Sequence, residues 1–282
     1  MIEYLYSLGA VGSFALNNVL FKKVLNKAEP AAAIAMRGLV ISVALAIFAF
    51  LFVDSFYVPA SLIPLLLLEI IVGSAGILFF FKALQKGRAS IIGAIGHIYV
   101  IIVALVGIFL FGESHTLLRW AGAAIVMAGG LLAASGGLRL GELKWEGGTR
   151  MACVSILCWG IYYSYMRGVV DALGPVYSSF LLESGIFVCI LSYALIMRKK
   201  FPKAEGALLP CAIGGGIAGA IGAIAYAFSI DALGVVLTAM IVAAVPVANA
   251  IFAMVLLGEK LQRREYAYVL LIALGLALVA SG

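Results

Sequence analysis

Long, uninterrupted apolar runs recur from one end of the chain to the other. Each is about 20 residues long, the length that an α-helix needs to cross a bilayer, whereas a membrane-spanning β-strand alternates over ~10 residues. Of the 282 residues, 65% are hydrophobic and 11% are charged, against about 25% charged in soluble domains. We therefore expect an all-α polytopic membrane protein, and the composition excludes a soluble enzyme, a disordered chain and a nucleic-acid-binding domain. The runs predict ten transmembrane helices at roughly 2–22, 30–53, 61–82, 89–111, 116–135, 150–170, 175–197, 205–230, 233–257 and 261–281.

The second half of the chain repeats the first. Residues 112–136 laid over 258–282 match at eight of 25 positions, including a Gly-Glu pair before the fifth run of each half. At these helix junctions, we expect Glu113 and Glu259 to accept hydrogen bonds from neighbouring backbone amides rather than to bind a solute. Because five helices per repeat is an odd number, the two repeats are expected to be inverted with respect to each other. The predicted organisation is a first repeat at 1–136, a basic connecting loop at 137–149 and a second repeat at 150–282.

The basic residues are distributed as an inverted duplication requires. Sixteen of the 19 Lys and Arg residues fall in one set of alternate connections, Arg119 and Arg167 fall in the other set, and Arg37 lies within the second span. Cytoplasmic loops carry an excess of Lys and Arg. The charge distribution therefore predicts that the basic face is cytoplasmic and that both termini lie outside.

Several loose motifs occur in the same order in both halves. Pro30 precedes Arg37 in the second span, Gly73-x-x-Gly76 leads to Phe79-Phe80-Phe81, Gly219-x-x-Gly222 leads to Tyr226-Ala227-Phe228, and Pro246 stands thirteen residues before Glu259. With the two Gly-Glu pairs, this pattern resembles the drug/metabolite transporter superfamily, in its branch of two EamA-type repeats, over essentially the whole chain. The resemblance implies a basket of ten helices around a central cavity and transport of small organic solutes by alternating access. Two features depart from it: Val100 stands where the second half has Pro246, and many relatives keep both termini in the cytoplasm.

Ionisable side chains inside the predicted spans are the first candidates for function, because a charge in the bilayer core is costly. Glu69, Glu183 and His97 each lie about 12–14 Å into a span at ~1.5 Å per residue, which favours a shared polar cavity. Glu69 and Glu183 are candidates for proton coupling, and all three for solute binding. Each residue also has a structural alternative. Glu69 could be a hydrogen-bonded protonated carboxyl, Glu183 could be the partner of a basic residue, and His97 could be a core histidine. Arg37 is interpreted as structural.

Glu69 also lies on a distinctive helical face. Glu69, Gly73, Gly76 and Phe80 follow the i, i+4, i+7, i+11 spacing of one face. Glycines there let a solute approach closely, so Gly73 and Gly76 are candidate binding residues. Their alternative role is to pack one helix against another.

Aromatic and amide side chains give a second candidate surface. Trp159, Tyr162 and Tyr163 share a face of the sixth span, and an offset of 145 pairs them with Phe14, Asn17 and Asn18. Aromatic faces near carboxylates suit organic cations or zwitterions, although an interfacial aromatic belt remains an alternative. Tyr99 and Asn249 are weaker candidates.

The sequence favours a secondary active transporter of a small organic metabolite or drug-like solute, such as an amino acid, amine or cation, coupled to protons. It carries no phosphate-binding loop, and its two histidines, His97 and His115, belong to no nucleophile–base set. We expect no catalytic residue, cofactor or metal. The expected partners are a small organic solute, protons and the lipid of the cell membrane, with no nucleic acid, and the chain is compatible with a monomer. An ion-independent uniporter or exchanger, an intramembrane lipid-modifying enzyme and a non-transporting scaffold remain open alternatives.

Overall fold

The computed structural model describes residues 2–25, 27–86, 96, 98–113, 115–135, 147–201, 208–257 and 263–282. Within these ranges the chain is helical and forms no strand, which confirms the predicted all-α class. His97, Glu259 and most of the predicted connecting loop lie outside the described residues. The helices are α1 (Ile2–Leu25), α2 (Pro30–Phe52), α3 (Ile63–Lys86), α4 (Tyr99–Phe111), α5 (Leu117–Ser135), α6 (Gly147–Leu173), α7 (Pro175–Ile196), α8 (Leu208–Val242), α9 (Val245–Leu257) and α10 (Arg263–Ser281).

The helices have the length and the surface of membrane spans. Among the described residues, α2, α3 with its preceding 3-10 turn, α7 and α8 are each long and apolar enough to cross a bilayer, and α4, α5, α9 and α10 contain shorter apolar helices. Large apolar side chains point outward, with Phe50 77%, Phe109 80% and Leu117 85% exposed. Together with the lengths of these helices, such a surface indicates contact with lipid. The chain is therefore a multi-pass membrane protein.

Proline and glycine set several of the helix boundaries. Pro30 and Pro175 begin α2 and α7, where proline's fixed φ suits a first helical turn and its missing N–H is not needed. α4 ends at Gly112, whose φ of +64° is left-handed, the conformation that glycine adopts most readily at a helix C-terminus. The sequence pattern could therefore place these boundaries to within a few residues.

α8 is broken at one residue. Gly234 has a φ of +78° and a ψ of +171°, which are not helical values. The break divides α8 into a long segment before Gly234 and a short segment at 235–242. The ninth predicted span, at 233–257, therefore consists of this short segment, a turn at Ala243 and Ala244, and α9.

Side-chain contacts define the two ends of the helix bundle. Ser7, near the start of α1, hydrogen-bonds Ser229 in α8, and Gly282 lies against Thr116, which precedes α5. Because Glu113, three residues before Thr116, hydrogen-bonds Val235, six residues after Ser229, both chain termini lie at one end, the terminal end. At the opposite end, the basic end, Lys199 after α7 pairs with Glu29 before α2 at 2.9 Å.

Glycines allow α5 and α10 to approach closely. A Cβ added at Gly122 would lie 2.6 Å from the carbonyl oxygen of Gly275, and one added at Gly275 would lie 2.8 Å from the carbonyl oxygen of Gly122. The two backbones therefore touch, as small residues permit between helices in membranes. The remaining helices surround a central cavity.

Candidate functional site

A cavity of about 80 Å³ lies in the middle of the bundle. Among the described residues, six helices and the junction between α8 and α9 supply its wall. The lining residues are Phe14, Asn17, Asn18, Arg37, Gly73, Ile77, Phe80, Phe81, Tyr99, Trp159, Tyr162, Tyr163, Glu183, Ile186, Val242 and Val245.

Most of the residues predicted from sequence meet in this wall. Phe14, Asn17 and Asn18 come from α1, Gly73 from α3, Tyr99 from α4, Trp159, Tyr162 and Tyr163 from α6, and Glu183 from α7. Gly76, Glu69 and Asn249 are not among the lining residues, and His97 lies outside the described residues. Asn249 has a buried Oδ1 with no hydrogen-bond partner within the described chain.

The polar side of the cavity is organised by Arg37. Its Nε donates a 3.0 Å hydrogen bond to Asn17 Oδ1, and its Nη1 lies 3.8 Å from Glu183 Oε2. The second distance is that of a loose ion pair, longer than a hydrogen bond. Arg37 and Glu183 therefore present opposite charges side by side on a buried wall, and Arg37, interpreted from sequence as structural, is part of the site.

The opposite side of the cavity is aromatic. The ring of Trp159 lies 4.6 Å from that of Phe80 and 6.1 Å from that of Tyr99, measured between centroids. Tyr163 stacks on Tyr99 at 4.8 Å and contacts Tyr226 at 4.7 Å. These separations are those of favourable aromatic pairs, so the rings support one another as a wall.

The glycine face of α3 receives this aromatic wall. A Cβ added at Gly76 would lie 2.6 Å from Trp159 Cδ1, and one added at Gly73 would lie 2.9 Å from Tyr162 Cδ2. The space beside Gly76 is therefore filled by α6, and that beside Gly73 by Tyr162 of α6 and Ile186 of α7. The glycines let the aromatic residues pack against α3, and Gly73 also reaches the cavity surface.

Glu69 is buried one helical turn before Gly73. Its exposed fraction is 0%, and neither carboxyl oxygen has a hydrogen-bond partner within the described residues. Tyr162, whose ring packs on Gly73, lies within electrostatic range of both Glu69 and Glu183. Glu183 thus faces the cavity directly, whereas Glu69 is not in the lining.

Sequence reasoning missed the apolar part of the wall. Ile77, Phe81, Ile186, Val242 and Val245 line the cavity, but nothing distinguishes them in sequence from other apolar residues of their spans. The described residues contain no group of three or more His, Cys, Asp or Glu that could hold a metal ion. The wall thus offers charge pairing, hydrogen bonding and aromatic contact.

Three comparisons with known proteins agree with this architecture. The sequence profile of the EamA-like transporter family matches residues 1–135 and again residues 147–281. An uncharacterized transporter in the cobO 3′ region of Sinorhizobium sp. is 35% identical over 57 residues, which are 20% of this chain and 40% of that protein's length. A crystal structure described only as that of a protein superposes with a TM-score of 0.77 and 18% identity, over 98% of this chain and 96% of the other, a likeness that shows the fold alone. Because the profile matches nearly the whole chain in two copies, the chain belongs to the EamA-like transporter family.

Proposed function

We propose that the protein is a secondary active transporter that moves a small cationic or zwitterionic organic solute, such as an amino acid or an amine, across the cell membrane by alternating access. The observation that carries the proposal is the wall that joins Arg37 and Glu183 to a cluster of aromatic rings around one buried cavity. The sequence pattern also supports a transporter rather than an enzyme, because its histidines belong to no nucleophile–base set.

The spacing of the charged pair suits a solute that carries an amine. Arg37 and Glu183 are 3.8 Å apart at their nearest atoms, so a solute group can take the place of either partner without first breaking a tight hydrogen bond. An ammonium group would bind the Glu183 carboxylate, and a carboxylate, where the solute has one, would bind the Arg37 guanidinium. The rings of Trp159 and Tyr163 would cover the apolar or cationic remainder of the solute.

The size of the cavity favours a cycle with more than one conformation. Ligand pockets usually measure about 300–1,000 Å³, whereas this cavity measures about 80 Å³. A small organic solute therefore requires the helices to part before it enters. Movement of helices around a fixed central site is the basis of alternating access.

Glu69 is our candidate for the coupling carboxyl, with Glu183 as the second. A buried charge without a partner is costly, so the surroundings of Glu69 hold its neutral, protonated form. If the helices around Tyr162 part, water or the cationic solute can reach Glu69 and stabilise its carboxylate. Glu69 would then bind a proton in one conformation and release it in another.

The arrangement of the helices supports inverted repeats. In two repeats of five helices, α6 is the counterpart of α1 and α8 is the counterpart of α3. α1 packs on α8, and α6 packs on α3, so each of these contacts is the counterpart of the other. α2 packs on α7 and α5 packs on α10, which are pairs of counterparts. Given the charge distribution, we propose that the basic end faces the cytoplasm.

Transport by the purified protein tests the proposal. Proteoliposomes would be given labelled amino acids, amines and organic cations, each with and without an inwardly directed proton gradient. We expect saturable uptake of at least one cationic or zwitterionic solute, with accumulation only when the gradient is present. Equilibration without accumulation would indicate the ion-independent uniporter or exchanger, and no uptake of any solute would contradict the proposal.

The Glu69→Gln variant tests the coupling role. It keeps the shape of the side chain and mimics the protonated form, so we expect gradient-driven accumulation to be lost while exchange of solute continues. The matched control is Asp231→Asn, which makes the same change of charge at an exposed carboxyl of α8 and should leave accumulation intact. Normal accumulation by a folded Glu69→Gln protein would move the coupling role to Glu183.

A further inference from the structure

The break in α8 leaves two backbone amides facing a single carboxylate. Glu113 Oε1 accepts a 3.1 Å hydrogen bond from the N–H of Val235, and Oε2 accepts a 3.0 Å hydrogen bond from the N–H of Val236. This confirms the expectation that Glu113 binds neighbouring amides. A Cβ at Gly234 would lie 2.7 Å from Glu113 Oε1. Glycine is therefore needed there both for its positive φ and for the approach of the carboxylate.

Arg167 completes the site from a third segment. Its Nη1 donates a hydrogen bond to Glu113 Oε1, its guanidinium lies 5.5 Å from the centre of the Phe111 ring, and its Nε donates to Asp171 Oδ2 at 3.4 Å. The Glu113 side chain is 9% exposed and that of Arg167 is 31% exposed. One largely buried carboxylate thus binds a helix N-terminus and a guanidinium, both of which favour negative charge.

The three segments that meet at Glu113 all lie at the terminal end. Glu113 follows α4, Arg167 lies in the last turns of α6, and Val235 begins the short segment of α8. His115 and Arg119 extend the network toward α5, with His115 Nε2 3.6 Å from Glu113 Oε2 and Arg119 Nη1 3.4 Å from His115 Nδ1. Glu113 thus joins α4, α6 and α8 at this end.

An ion pair is also described at the basic end. At the basic end, the described ion pair is that of Glu29 and Lys199, whose side chains are 44% and 35% exposed, and exposed pairs contribute little to stability. Of these two described contacts, the one at Glu113 is the more buried.

We propose that Glu113 is a positioning residue of the transport cycle, which holds the terminal end closed by binding α8 at its break and α6 at Arg167. Release of this carboxylate frees the amides of Val235 and Val236 and lets the three segments separate, which opens the cavity to the terminal end. The proposal rests on the alternating-access function proposed above. It assigns the closing contact of one conformation to a residue that does not touch the solute.

Accessibility of the cavity from the terminal end tests the proposal without any solute. In a protein whose four native cysteines are replaced by alanine, Ile77→Cys places a single thiol in the cavity wall. A membrane-impermeant reagent, sulfonatoethyl methanethiosulfonate, is added to vesicles that contain the protein. The orientation of the protein in these vesicles is determined by separate labelling of Ser281→Cys and Lys200→Cys. The measurement is the rate at which the cavity thiol reacts from the terminal end.

We expect Glu113→Gln to raise this rate about tenfold or more, because loss of a hydrogen bond to a charged group shifts an equilibrium by roughly that factor. Arg167→Gln should raise the rate as well, and the double variant should not exceed the larger single effect, because both side chains act through one contact. Asp171→Asn is the matched control. It removes an exposed carboxylate that pairs with Arg167 and is not one of the described hydrogen-bond partners of Val235 and Val236, so the rate should not change.

Unchanged labelling in both folded variants would overturn the proposal and leave Glu113 as a helix cap alone. Where Glu113→Gln does not fold, Arg167→Gln decides, because it retains both amide hydrogen bonds. Since labelling needs no solute, failure to find a transported solute would contradict the proposed function without affecting this result. Conversely, normal transport with unchanged labelling would contradict only the role of Glu113.

Discussion

Replacing Gly122 by alanine tests how closely α5 and α10 approach. The added Cβ would lie 2.6 Å from the carbonyl oxygen of Gly275 and 2.8 Å from the backbone nitrogen of Val279. Both neighbours are backbone atoms, so no side chain can rotate away to make room. The two helices must instead part by about 0.8 Å to restore an ordinary contact distance of 3.4 Å.

The expected cost follows from this forced separation. Inserting one methyl group into a tightly packed contact costs about 1–3 kcal/mol. Gly12→Ala in α1 is the matched control, because its Cβ would meet nothing within 4 Å. Both variants gain the helix propensity of alanine over glycine, about 1 kcal/mol. The difference in stability between the two variants therefore reports the cost of the steric clash alone. At about 2–4 °C per kcal/mol, this cost corresponds to a difference of roughly 2–12 °C in melting temperature.

Melting of the purified protein in detergent, followed by its loss from the monodisperse peak in size-exclusion chromatography, measures this difference. We expect Gly122→Ala to melt below Gly12→Ala. Gly122→Ala combined with Gly275→Ala should cost less than the sum of the two single changes, because helices already parted by one methyl group accommodate the second. Equal melting temperatures for Gly122→Ala and Gly12→Ala would refute the close approach of the two backbones.

Two further predictions concern the charged pairs of the cavity and of the basic end. Arg37→Gln removes the cation beside Glu183 and should destabilise the protein by about 1–3 kcal/mol, whereas adding Glu183→Gln should restore part of that loss; strictly additive melting shifts would show that the two residues do not interact. The hydrogen bond with Glu29, and then its negative charge, raise the pKa of Lys199 above the ordinary lysine value. Any stability contributed by this raised pKa is fully present below the ordinary lysine value and is lost as pH rises through the raised pKa. NMR titration of isotopically methylated lysines should show a lower Lys199 pKa in Glu29→Gln, and an unchanged value would contradict the pairing.

The sequence alone was sufficient for the fold class, the family and much of the cavity wall. Runs of about 20 apolar residues leave a chain no solution other than membrane helices, because every backbone polar group in lipid must be bonded within its own segment. The aromatic and amide residues of α1 and α6 were recognisable because polar groups deep in a span need polar surroundings, which a shared cavity supplies. Glu183 was recognisable because an ionisable side chain inside a bilayer is costly.

The division of roles between the two carboxyls depended on the tertiary structure. Sequence spacing gives depth along a helix but not the neighbours around it. Depth therefore did not distinguish Glu69 from Glu183, although Glu183 faces Arg37 in the cavity and Glu69 does not line it. The same limit applies to Arg37, whose partners come from α1 and α7, and to Val242, which is one apolar residue among many.

The closing contact at the terminal end could be predicted only in part. The Gly-Glu pair at a helix junction indicated that Glu113 would bind backbone amides, because helix ends leave such groups unpaired. Which amides it binds was set by the break at Gly234, 121 positions further along the chain, and by the packing of α6 that delivers Arg167. Features that depend on adjacent residues can be predicted from the sequence, whereas a contact among three distant segments exists only after the helices have packed.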